Sequence, residues 1–265
     1  YMAKKLPKIG GEFLQAESEV SAINMVYGAA GSGARVMTSS SSPGISLKQE
    51  GISYIAGAEL PCMIVNIVRG GPGLGSIQPA QSDYFQATKG GGHGDYHMVV
   101  LAPATLQEAV DLVMEGFDIA DQYRNPVMIL GDGMLGQMME PVEFSAYEGR
   151  ELKSKTWATT GWDGSRERSI INSLYIDPNA LEEHVEKIYR KYEDIKKNEV
   201  KVECYNCEGA EVIVAAYGTT ARIVKKVIQM AEEEGIDVGL IRPITLWPFP
   251  ENTFSQWAGR EHVRT

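Results

Sequence analysis

Cysteine, long apolar runs and positive charge are all scarce in this sequence. The 265 residues include only three cysteines, and a small, odd number is typical of a reducing compartment rather than of a disulfide-stabilised secreted protein. No apolar run reaches the ~18 residues of a membrane span. With 35 acidic and 25 basic residues the formal net charge is -10, which disfavours nucleic acid and anionic membranes as partners. We therefore expect a cytoplasmic globular protein.

The residues that commonly bind metals do not form a recognisable set. Cys204 and Cys207 are a Cys-x-x-Cys pair, but one pair supplies only half of the ligands that zinc or an iron–sulfur cluster usually needs. His93 and His97 have the spacing of ligands on a helix, yet the glycine-rich stretch 90–94 disfavours a helix there. We therefore expect no metal site in this chain, and the role of the cysteine pair stays open.

Segments that predict strands and helices alternate along the chain. The apolar, β-branched run 62–68 predicts a strand that is buried on both faces of a parallel sheet. The following segment, 70–94, is polar and glycine-rich and predicts a long irregular loop. This alternation is typical of a doubly wound, mostly parallel α/β sheet, in which ligands bind at the carboxyl ends of the strands. The other predicted strands are 35–38, 98–102 and 127–130, and the predicted helices are 17–30, 45–60 and 105–123.

The second half of the chain differs in composition. Residues 146–205 are polar and charged and predict a connector with one helix at 179–197. After it, two short strands flank a helix between about 211 and 241. The chain length suits one large α/β domain with a smaller companion. We therefore expect a first domain at 1–205, including the connector, and a second, smaller α/β domain at 206–265.

Glu19 is an unusual carboxylate, because it lies near the start of an otherwise small and apolar predicted helix. A carboxylic acid that is buried without a cation stays protonated and can share its proton with a heterocyclic nitrogen. Thiamine catalysis needs such an acid, since protonation of a pyrimidine nitrogen turns the 4-amino group into an internal base. The alternative is that Glu17 and Glu19 only stabilise the amino terminus of the helix.

Two loops at the predicted carboxyl edge are further candidates. Small residues at 39–44, with a rigid turn at Pro43 and Gly44, let the backbone approach a flat ligand closely; a phosphate-binding nest is the alternative. Arg69 stands where the buried strand opens into the glycine-rich loop. A guanidinium there suits bidentate capture of a carboxylate such as that of a 2-oxoacid, and an ordinary solvated arginine is the alternative.

A family resemblance rests on several short segments. A Glu that precedes a glycine by nine residues, followed by a Thr-Ser-Gly-Pro-Gly-like turn, is similar to the pyrimidine domain of thiamine-diphosphate enzymes. Ser42 stands where many relatives have glycine. Two further segments resemble the α chain of 2-oxoacid:ferredoxin oxidoreductases, most of all the 2-oxoisovalerate (branched-chain) type. The segments are 15–23 with Gly28, then 36–38 and 41–44 for the wider group, and 65–73 and 79–83 for the narrower one.

The resemblance implies a role for each candidate residue. It implies that Glu19 is the catalytic carboxylate that contacts the pyrimidine ring of thiamine diphosphate, and that Arg69 binds the substrate carboxylate. The cofactor-binding residues that it implies are Glu19, Ser41, Ser42, Pro43 and Gly44. It places the diphosphate and its magnesium on a partner β subunit. Iron–sulfur clusters are expected on that chain or on a ferredoxin-like subunit.

The activity that the resemblance implies is oxidative decarboxylation of a 2-oxoacid to an acyl-CoA, with CoA as co-substrate and ferredoxin as electron acceptor. The second domain is expected to resemble the carboxyl-terminal domain of transketolase and to be incomplete, and this piece alone is expected to be inactive. The alternatives are a non-oxidative thiamine-dependent decarboxylase or transketolase-like half, and a non-catalytic assembly subunit. The segment 131–133 lacks the downstream Asn of a diphosphate motif, and we interpret it as a strand-end turn.

Overall fold

A five-stranded sheet lies at the centre of the computed structural model, which describes residues 1–258. Its strand order is β1-β2-β4-β3-β8. The first four strands in this order are parallel, and the last is antiparallel to its neighbour β3. The strands are β1 (Met37–Ser40), β2 (Cys62–Val68), β3 (Val99–Leu101), β4 (Pro126–Asp132) and β8 (Thr245–Trp247).

Helices alternate with the strands of this sheet along the chain, and their apolar side chains pack on it to form the main core. Side-chain caps define two of their starts, because Ser18 accepts a hydrogen bond from the Ser21 amide and Thr105 accepts one from the Glu108 amide. A Cβ at Gly51 would lie 2.4 Å from Ile23, so only glycine allows the close packing of α2 on α3. The helices are α1 (Met2–Lys5), a 3₁₀ helix (Leu6–Ile9), α2 (Glu19–Gly31), α3 (Pro43–Gly57), α4 (Tyr84–Lys89), α5 (Leu106–Tyr123), α6 (Gly133–Gln137) and α7 (Pro178–Asn198).

A smaller three-stranded sheet forms the second unit, with the order β5-β7-β6. Strands β6 and β7 are parallel, and β5 is antiparallel to β7. Two small apolar clusters pack around β7, one including Trp257 and the other Ile228. The elements are β5 (Val202–Tyr205), β6 (Val212–Ala215), α8 (Gly218–Glu233), β7 (Val238–Pro243) and α9 (Glu251–Ala258).

The two units are joined by the chain segment that runs from β7 into β8 and by a set of ion pairs. After β7 the chain enters the first sheet as β8, where Trp247 pairs with Val100. Arg242 of β7 is buried and donates to both carboxylate oxygens of Glu108 on α5, at 2.9 and 2.8 Å. Its Nε donates to Glu203 of β5 at 2.6 Å. The second unit is therefore joined to the first by backbone and side-chain contacts together.

The structure differs from the sequence-based predictions at several places. Residues 84–89 of the predicted irregular loop form a helix, and β5 and β8 were not predicted. The segment 131–133 is not a turn, because β4 continues through Asp132 and α6 begins at Gly133. In the predicted connector, residues 146–177 lack helix and strand, but α7 packs into the main core through Tyr192 and Ile195. No helix within residues 1–258 combines the length and apolar character needed to cross a bilayer.

Candidate active site

The carboxyl ends of β1, β2 and β4 meet at one edge of the main sheet. Their register pairs Ser40 with Asn66 and Val68 with Asp132. Residues that follow these strands, namely the 41–44 turn, Arg69 and the start of α6, therefore emerge side by side. We call this edge the site edge. It is the edge at which parallel α/β sheets bind their ligands.

Glu19 reaches the site edge from α2. It is the first residue of that helix, follows the Ser18 cap and is half-buried. A Cβ added to Gly44 would lie 3.1 Å from the Oε1 atom of Glu19 and 2.0 Å from the Oγ atom of Ser40. The carboxylate therefore lies against the first turn of α3, and only a glycine fits at position 44. The structure brings together the carboxylate and the turn that the sequence predicted as one site.

The turn before α3 is fixed by hydrogen bonds to a side chain of β2 and to the backbone just after that strand. The backbone N–H of Ser42 donates to Asn66 Oδ1 at 3.1 Å, and the backbone N–H of Arg69 donates to Ser42 Oγ at 3.1 Å. Ser42 is buried and has a φ of 21°, in the left-handed region that favours glycine. This backbone geometry favours glycine at position 42, the residue that the family resemblance leads us to expect there. Pro43 takes the first helical position, where its ring suits the backbone.

Arg69 follows β2 directly and has an unsatisfied donor. Its Nε atom is buried and has no hydrogen-bond partner among the residues that the structure describes. Unpaired buried polar groups are rare in folded proteins, and a bound water, an ion or a catalytic role is the usual explanation for them. A cavity of about 330 Å³ lies beside it and is lined by Ser41, Ile67, Val68, Arg69, Ile77, Gly133, Gly136 and Gln137.

These groups fit the pyrimidine end of thiamine diphosphate together with a carboxylate substrate. The Glu19 carboxylate could serve as an acid for a ring nitrogen, the small residues at 41–44 leave room for a flat ring to approach the backbone, and Arg69 has a free donor for an anion. Among residues 1–258 no three His, Cys, Asp or Glu side chains lie together as metal ligands would.

Lys48 is a site residue that the sequence analysis missed. Its side chain is 1% exposed, and its Nζ atom donates to Thr38 Oγ1 at 2.8 Å and to the Ser39 carbonyl at 3.2 Å. Burial lowers the pKa of Lys48, and the nearby charge of Glu19 opposes that shift. A cation therefore lies within electrostatic range of Glu19, contrary to our expectation of an acid that is buried without one. The signal was helical spacing, since position 48 lies between the inward-facing Ile45 and Ile52.

Asn66 is a second missed residue. It is fully buried in β2, where its Oδ1 atom holds Ser42 and its Nδ2 atom donates to Asp83 Oδ2 at 3.0 Å. One amide side chain thus links the turn before α3 to the loop before α4. A polar residue inside the continuous apolar run 62–68 is the feature of the sequence that could have identified it.

Asp132 closes the site edge on the side of the second unit. Its Oδ1 atom accepts from the amides of Met134 and Leu135, both at 3.0 Å, and so caps α6. Its Oδ2 atom accepts from the hydroxyl of Thr219 on α8. Gln81 adds a contact of 3.0 Å from its Nε2 atom to the Tyr217 carbonyl. The start of α8 is therefore attached directly to this edge.

The histidine and cysteine candidates lie elsewhere. His97 stacks on Trp247 with 4.6 Å between ring centroids, and burial lowers the pKa of His97. Cys207 is buried, and burial raises the pKa of its thiol to about 11, whereas Cys204 is exposed. His97 and Cys207 therefore pack as structural residues, away from the site edge.

Two family models match consecutive parts of the sequence. Residues 1–203 match the family described as pyruvate flavodoxin/ferredoxin oxidoreductase, thiamine diphosphate-binding. Residues 210–263 match pyruvate:ferredoxin oxidoreductase core domain II. The first match covers more than half of the chain and includes every residue of the predicted site.

Curated relatives extend over nearly the whole sequence. Ketoisovalerate oxidoreductase subunit VorB of Methanothermobacter thermautotrophicus is 50% identical over 258 residues, which are 97% of this chain and 72% of the relative. 2-Oxoglutarate synthase subunit KorA of Archaeoglobus fulgidus is 36% identical over 271 residues, covering 97% of this chain and 74% of the relative. Both relatives are named as subunits of 2-oxoacid oxidoreductases or synthases.

Solved structures confirm the predicted fold class, and the sequence matches give the family. The chain superposes over 100% of its length on the 2-oxoglutarate:ferredoxin oxidoreductase from Magnetococcus marinus, solved with 2-oxoglutarate, coenzyme A and succinyl-CoA bound, with a TM-score of 0.82 and 27% identity. It spans 51% of that chain, about half of its length. A split-gene transketolase has a TM-score of 0.57 and 15% identity over 97% of this chain and 64% of its own length. At this low identity the likeness shows the fold alone. The chain belongs to the thiamine diphosphate-binding family of pyruvate flavodoxin/ferredoxin oxidoreductases.

Proposed function

We propose that this chain is the subunit of a 2-oxoacid:ferredoxin oxidoreductase that holds the pyrimidine end of thiamine diphosphate and the carboxylate of the substrate. The observation that carries the proposal is the position of a carboxylate and of a guanidinium at the same edge of the main sheet. Glu19 lies against Gly44, and Arg69 keeps a buried Nε donor without a partner beside a cavity that Ser41 also lines. The identity of 50% to a ketoisovalerate oxidoreductase subunit supports a branched-chain 2-oxoacid such as 2-oxoisovalerate as the substrate.

Each residue has a defined task in this proposal. Bound thiamine diphosphate supplies the nucleophilic carbon that attacks the oxo carbon and the electron sink for decarboxylation. Glu19 holds a proton on its carboxylate oxygen and shares it with a pyrimidine nitrogen. The backbone and small side chains of Ser41, Ser42, Pro43 and Gly44 lie along the flat ring. Arg69 binds the substrate carboxylate through a charge-assisted hydrogen bond and so orients the oxo carbon.

The remaining parts of the enzyme belong to partners in this proposal. A β subunit binds the diphosphate and its magnesium, and a ferredoxin-like subunit or the β subunit carries the iron–sulfur clusters. These clusters would carry to ferredoxin the two electrons that are released when the decarboxylated substrate is oxidised to the acyl level, and CoA would take up the acyl group. The complete complex works in the cytoplasm. The names of the curated relatives as subunits support an assembly with partner chains.

Replacement of Glu19 in the assembled complex tests the proposal. We expect Glu19→Gln to lower the rate of 2-oxoacid-dependent viologen reduction about 10² to 10⁴-fold, because general acid–base groups usually contribute that much. Glu17→Gln is the matched control, since Glu17 is exposed and lies two residues away, and its rate should stay near that of the wild type. A non-catalytic assembly subunit would give equal rates for both variants.

Comparison of substrates tests the finer part of the proposal. The wild-type complex is assayed with 2-oxoisovalerate, pyruvate and 2-oxoglutarate at equal concentrations. We expect the highest kcat/KM for 2-oxoisovalerate. A higher value for either of the other two acids would contradict the branched-chain assignment and leave the role of Glu19 untouched.

A further inference from the structure

The cavity beside Arg69 combines a single cation with an aliphatic wall. Its volume is about 330 Å³, within the range of pockets that hold small organic molecules. Ile67, Val68 and Ile77 supply aliphatic side chains to the wall, and of the described residues that line the cavity only Arg69 carries a charge. A molecule with one carboxylate and an apolar remainder therefore matches this cavity, whereas a second carboxylate would find no second cation among these residues.

Ile67 belongs to β2 and packs closely on β4 and α6. A Cβ at Gly136 of α6 would lie 3.1 Å from the Cγ2 atom of Ile67, and a Cβ at Gly131 of β4 would lie 3.4 Å from its Cδ1 atom. The two glycines thus leave just enough room for this side chain. Its place in the wall of the cavity is therefore set by the main sheet.

Ile77 belongs to the glycine-rich loop and reaches the same wall from outside the sheet. The backbone of this loop closes on itself, because the N–H of Gly70 donates to the Gln78 carbonyl at 2.9 Å and the N–H of Ser76 donates to the Gly70 carbonyl at 2.7 Å. A Cβ at Gly75, whose φ is 59°, would lie 1.7 Å from the Gly70 oxygen, so only glycine allows this closure. The loop therefore holds Ile77 in place at the cavity.

The surface of Ile77 is largely free to be covered by a ligand, since the residue is 80% exposed. Removal of apolar surface from water is favourable in proportion to the area covered. A 2-oxoacid with a branched aliphatic side chain covers more of this surface than pyruvate, whose side chain is a methyl group. Contact with Ile77 thus favours the larger acid.

We propose that Ile77 is a specificity-determining residue that contacts the branched side chain of the 2-oxoacid while Arg69 binds its carboxylate. The inference rests on the function proposed above and names the residue that selects the substrate. Arg69 acts on every 2-oxoacid alike, because each of them carries the carboxylate. Ile77 acts only on the part in which these acids differ. Selection among the acids therefore falls to the aliphatic wall of the cavity.

Ile77→Ala in the assembled complex tests this assignment. The kcat/KM is measured by viologen reduction for 2-oxoisovalerate and for pyruvate, and the ratio of the two values is compared with that of the wild type. We expect the ratio to fall about 10-fold or more, because one methylene in an apolar pocket changes kcat/KM about 10- to 200-fold. An unchanged ratio, or an equal loss for both acids, would overturn the inference.

Leu74→Ala is the matched control for this experiment. Leu74 lies in the same loop and is also 80% exposed, but it is not among the described residues that line the cavity. We expect the wild-type ratio in this variant. If Ile77→Ala does not assemble with its partners, Ile77→Val serves in its place, since it removes a single methyl group. A smaller fall of the ratio is then expected, and its absence overturns the role of Ile77.

Ile77→Lys tests the same position through a gain of activity, because it adds a second cation to the wall. We expect the kcat/KM for 2-oxoglutarate to rise at least about 10-fold relative to that for 2-oxoisovalerate, since the ammonium can pair with the second carboxylate and no longer offers an aliphatic surface. A ratio that stays at the wild-type value would contradict contact between position 77 and the substrate side chain.

Arg69→Ala separates a failure of this inference from a failure of the proposed function. It should raise the KM for pyruvate and for 2-oxoisovalerate alike. If it does so while Ile77→Ala keeps the wild-type ratio, the role of Ile77 alone is overturned. If Arg69→Ala leaves both KM values unchanged, the cavity does not bind the substrate, and the proposed function itself is overturned.

Discussion

Arg69 lies in surroundings that differ from those of a surface arginine. Its backbone amide is tied to Ser42, its backbone carbonyl accepts from the hydroxyl of Ser82 at 3.3 Å, and its Nε atom is buried without a partner. The main chain is therefore fixed while the guanidinium keeps a free donor. A free donor held on a fixed backbone is a suitable arrangement for binding an anion with little loss of entropy.

Arg69→Ala should weaken substrate binding more than it slows chemistry. A charge-assisted hydrogen bond is worth about 1.5 to 3 kcal/mol, so we expect the KM for the 2-oxoacid to rise at least 10-fold, with a smaller fall in kcat. Steady-state kinetics of the assembled complex measure both constants. Arg190→Ala, at an exposed position on α7, is the control, and equal KM values in the two variants would remove Arg69 from the site.

The sequence predicted some of these residues because their surroundings are local. Glu19 and the 41–44 turn stand out in segments of small and apolar residues, and both reached the same edge of the sheet. Lys48 was missed because its role depends on Thr38 and Glu19, which come from two other elements. The φ angle of Ser42 was not predictable either, because the hydrogen bonds that hold this turn come from Asn66 and Arg69, more than twenty residues further along the chain.

At the level of elements, a buried carboxylate attaches α7 to the main sheet. Glu59, just after α3, forms ion pairs with Lys187 and with Lys191 of α7, the latter at 3.3 Å. Arg124 at the end of α5 donates from Nε to the Glu59 carbonyl at 3.0 Å. Burial lowers the pKa of Lys191 to about 8, against the attraction of Glu59. The end of α3, the end of α5 and helix α7 thus meet at one residue, Glu59.

Glu59→Gln should destabilise the fold, because it leaves the buried ammonium of Lys191 without a counter-ion. We expect the free energy of unfolding to fall by about 3 kcal/mol, the lower end of values for a broken buried pair. Urea unfolding at neutral pH measures this quantity. Glu186→Gln breaks an exposed pair with Arg190 on the same helix and should cost less than about 0.5 kcal/mol; similar losses in both variants would contradict the role of Glu59.

The contribution of Glu59 should depend on pH in a defined direction. Burial raises its pKa, but the two lysines and Arg124 lower it more, so that the folded value lies below the ordinary 4.5. The unfolded chain therefore binds the proton more tightly, and the stability that Glu59 provides is present above pH 4.5 and is lost as the pH falls through the folded value. The difference in unfolding free energy between the wild type and Glu59→Gln should shrink below pH 4.5 and should shrink again as the pH rises toward about 8, where Lys191 loses its charge.

The sequence predicted helices and strands correctly where the apolar residues recur at a regular spacing or form a long run. Strand β2 has the predicted bounds, and α5 begins after the predicted Thr105 cap. The missed elements are short or depend on distant partners. Strand β8 has three residues and exists because β3 offers it an edge, and β5 pairs with β7, which lies more than thirty residues further along the chain.

At the level of the whole molecule, the buried Arg242 connects the two units. It binds Glu108 of the first unit and Glu203 of the second, and Lys225 of α8 also contacts Glu203. The second unit has only small apolar clusters of its own. Its stability should therefore depend on the first unit.

Arg242→Met should lower the stability of both units together. We expect a loss of about 3 kcal/mol, since two carboxylates lose a partner that is itself buried. Unfolding is followed by far-ultraviolet circular dichroism for the whole chain and by tryptophan fluorescence, to which Trp247 at the junction contributes. The two signals should report one coincident transition in the wild type and in the variant. Arg190→Met, at an exposed position on α7, is the control; two separate transitions in the wild type would contradict this coupling.

Strand β8 also limits how the enzyme can move. Trp247 and Thr245 pair with β3 in the main sheet, and Thr219 holds Asp132 at the site edge. A swing of the second unit as a hinged lid would have to break a backbone ladder and this contact at once. These contacts hold the second unit in place against the site edge, so that it forms a fixed wall beside the substrate cavity.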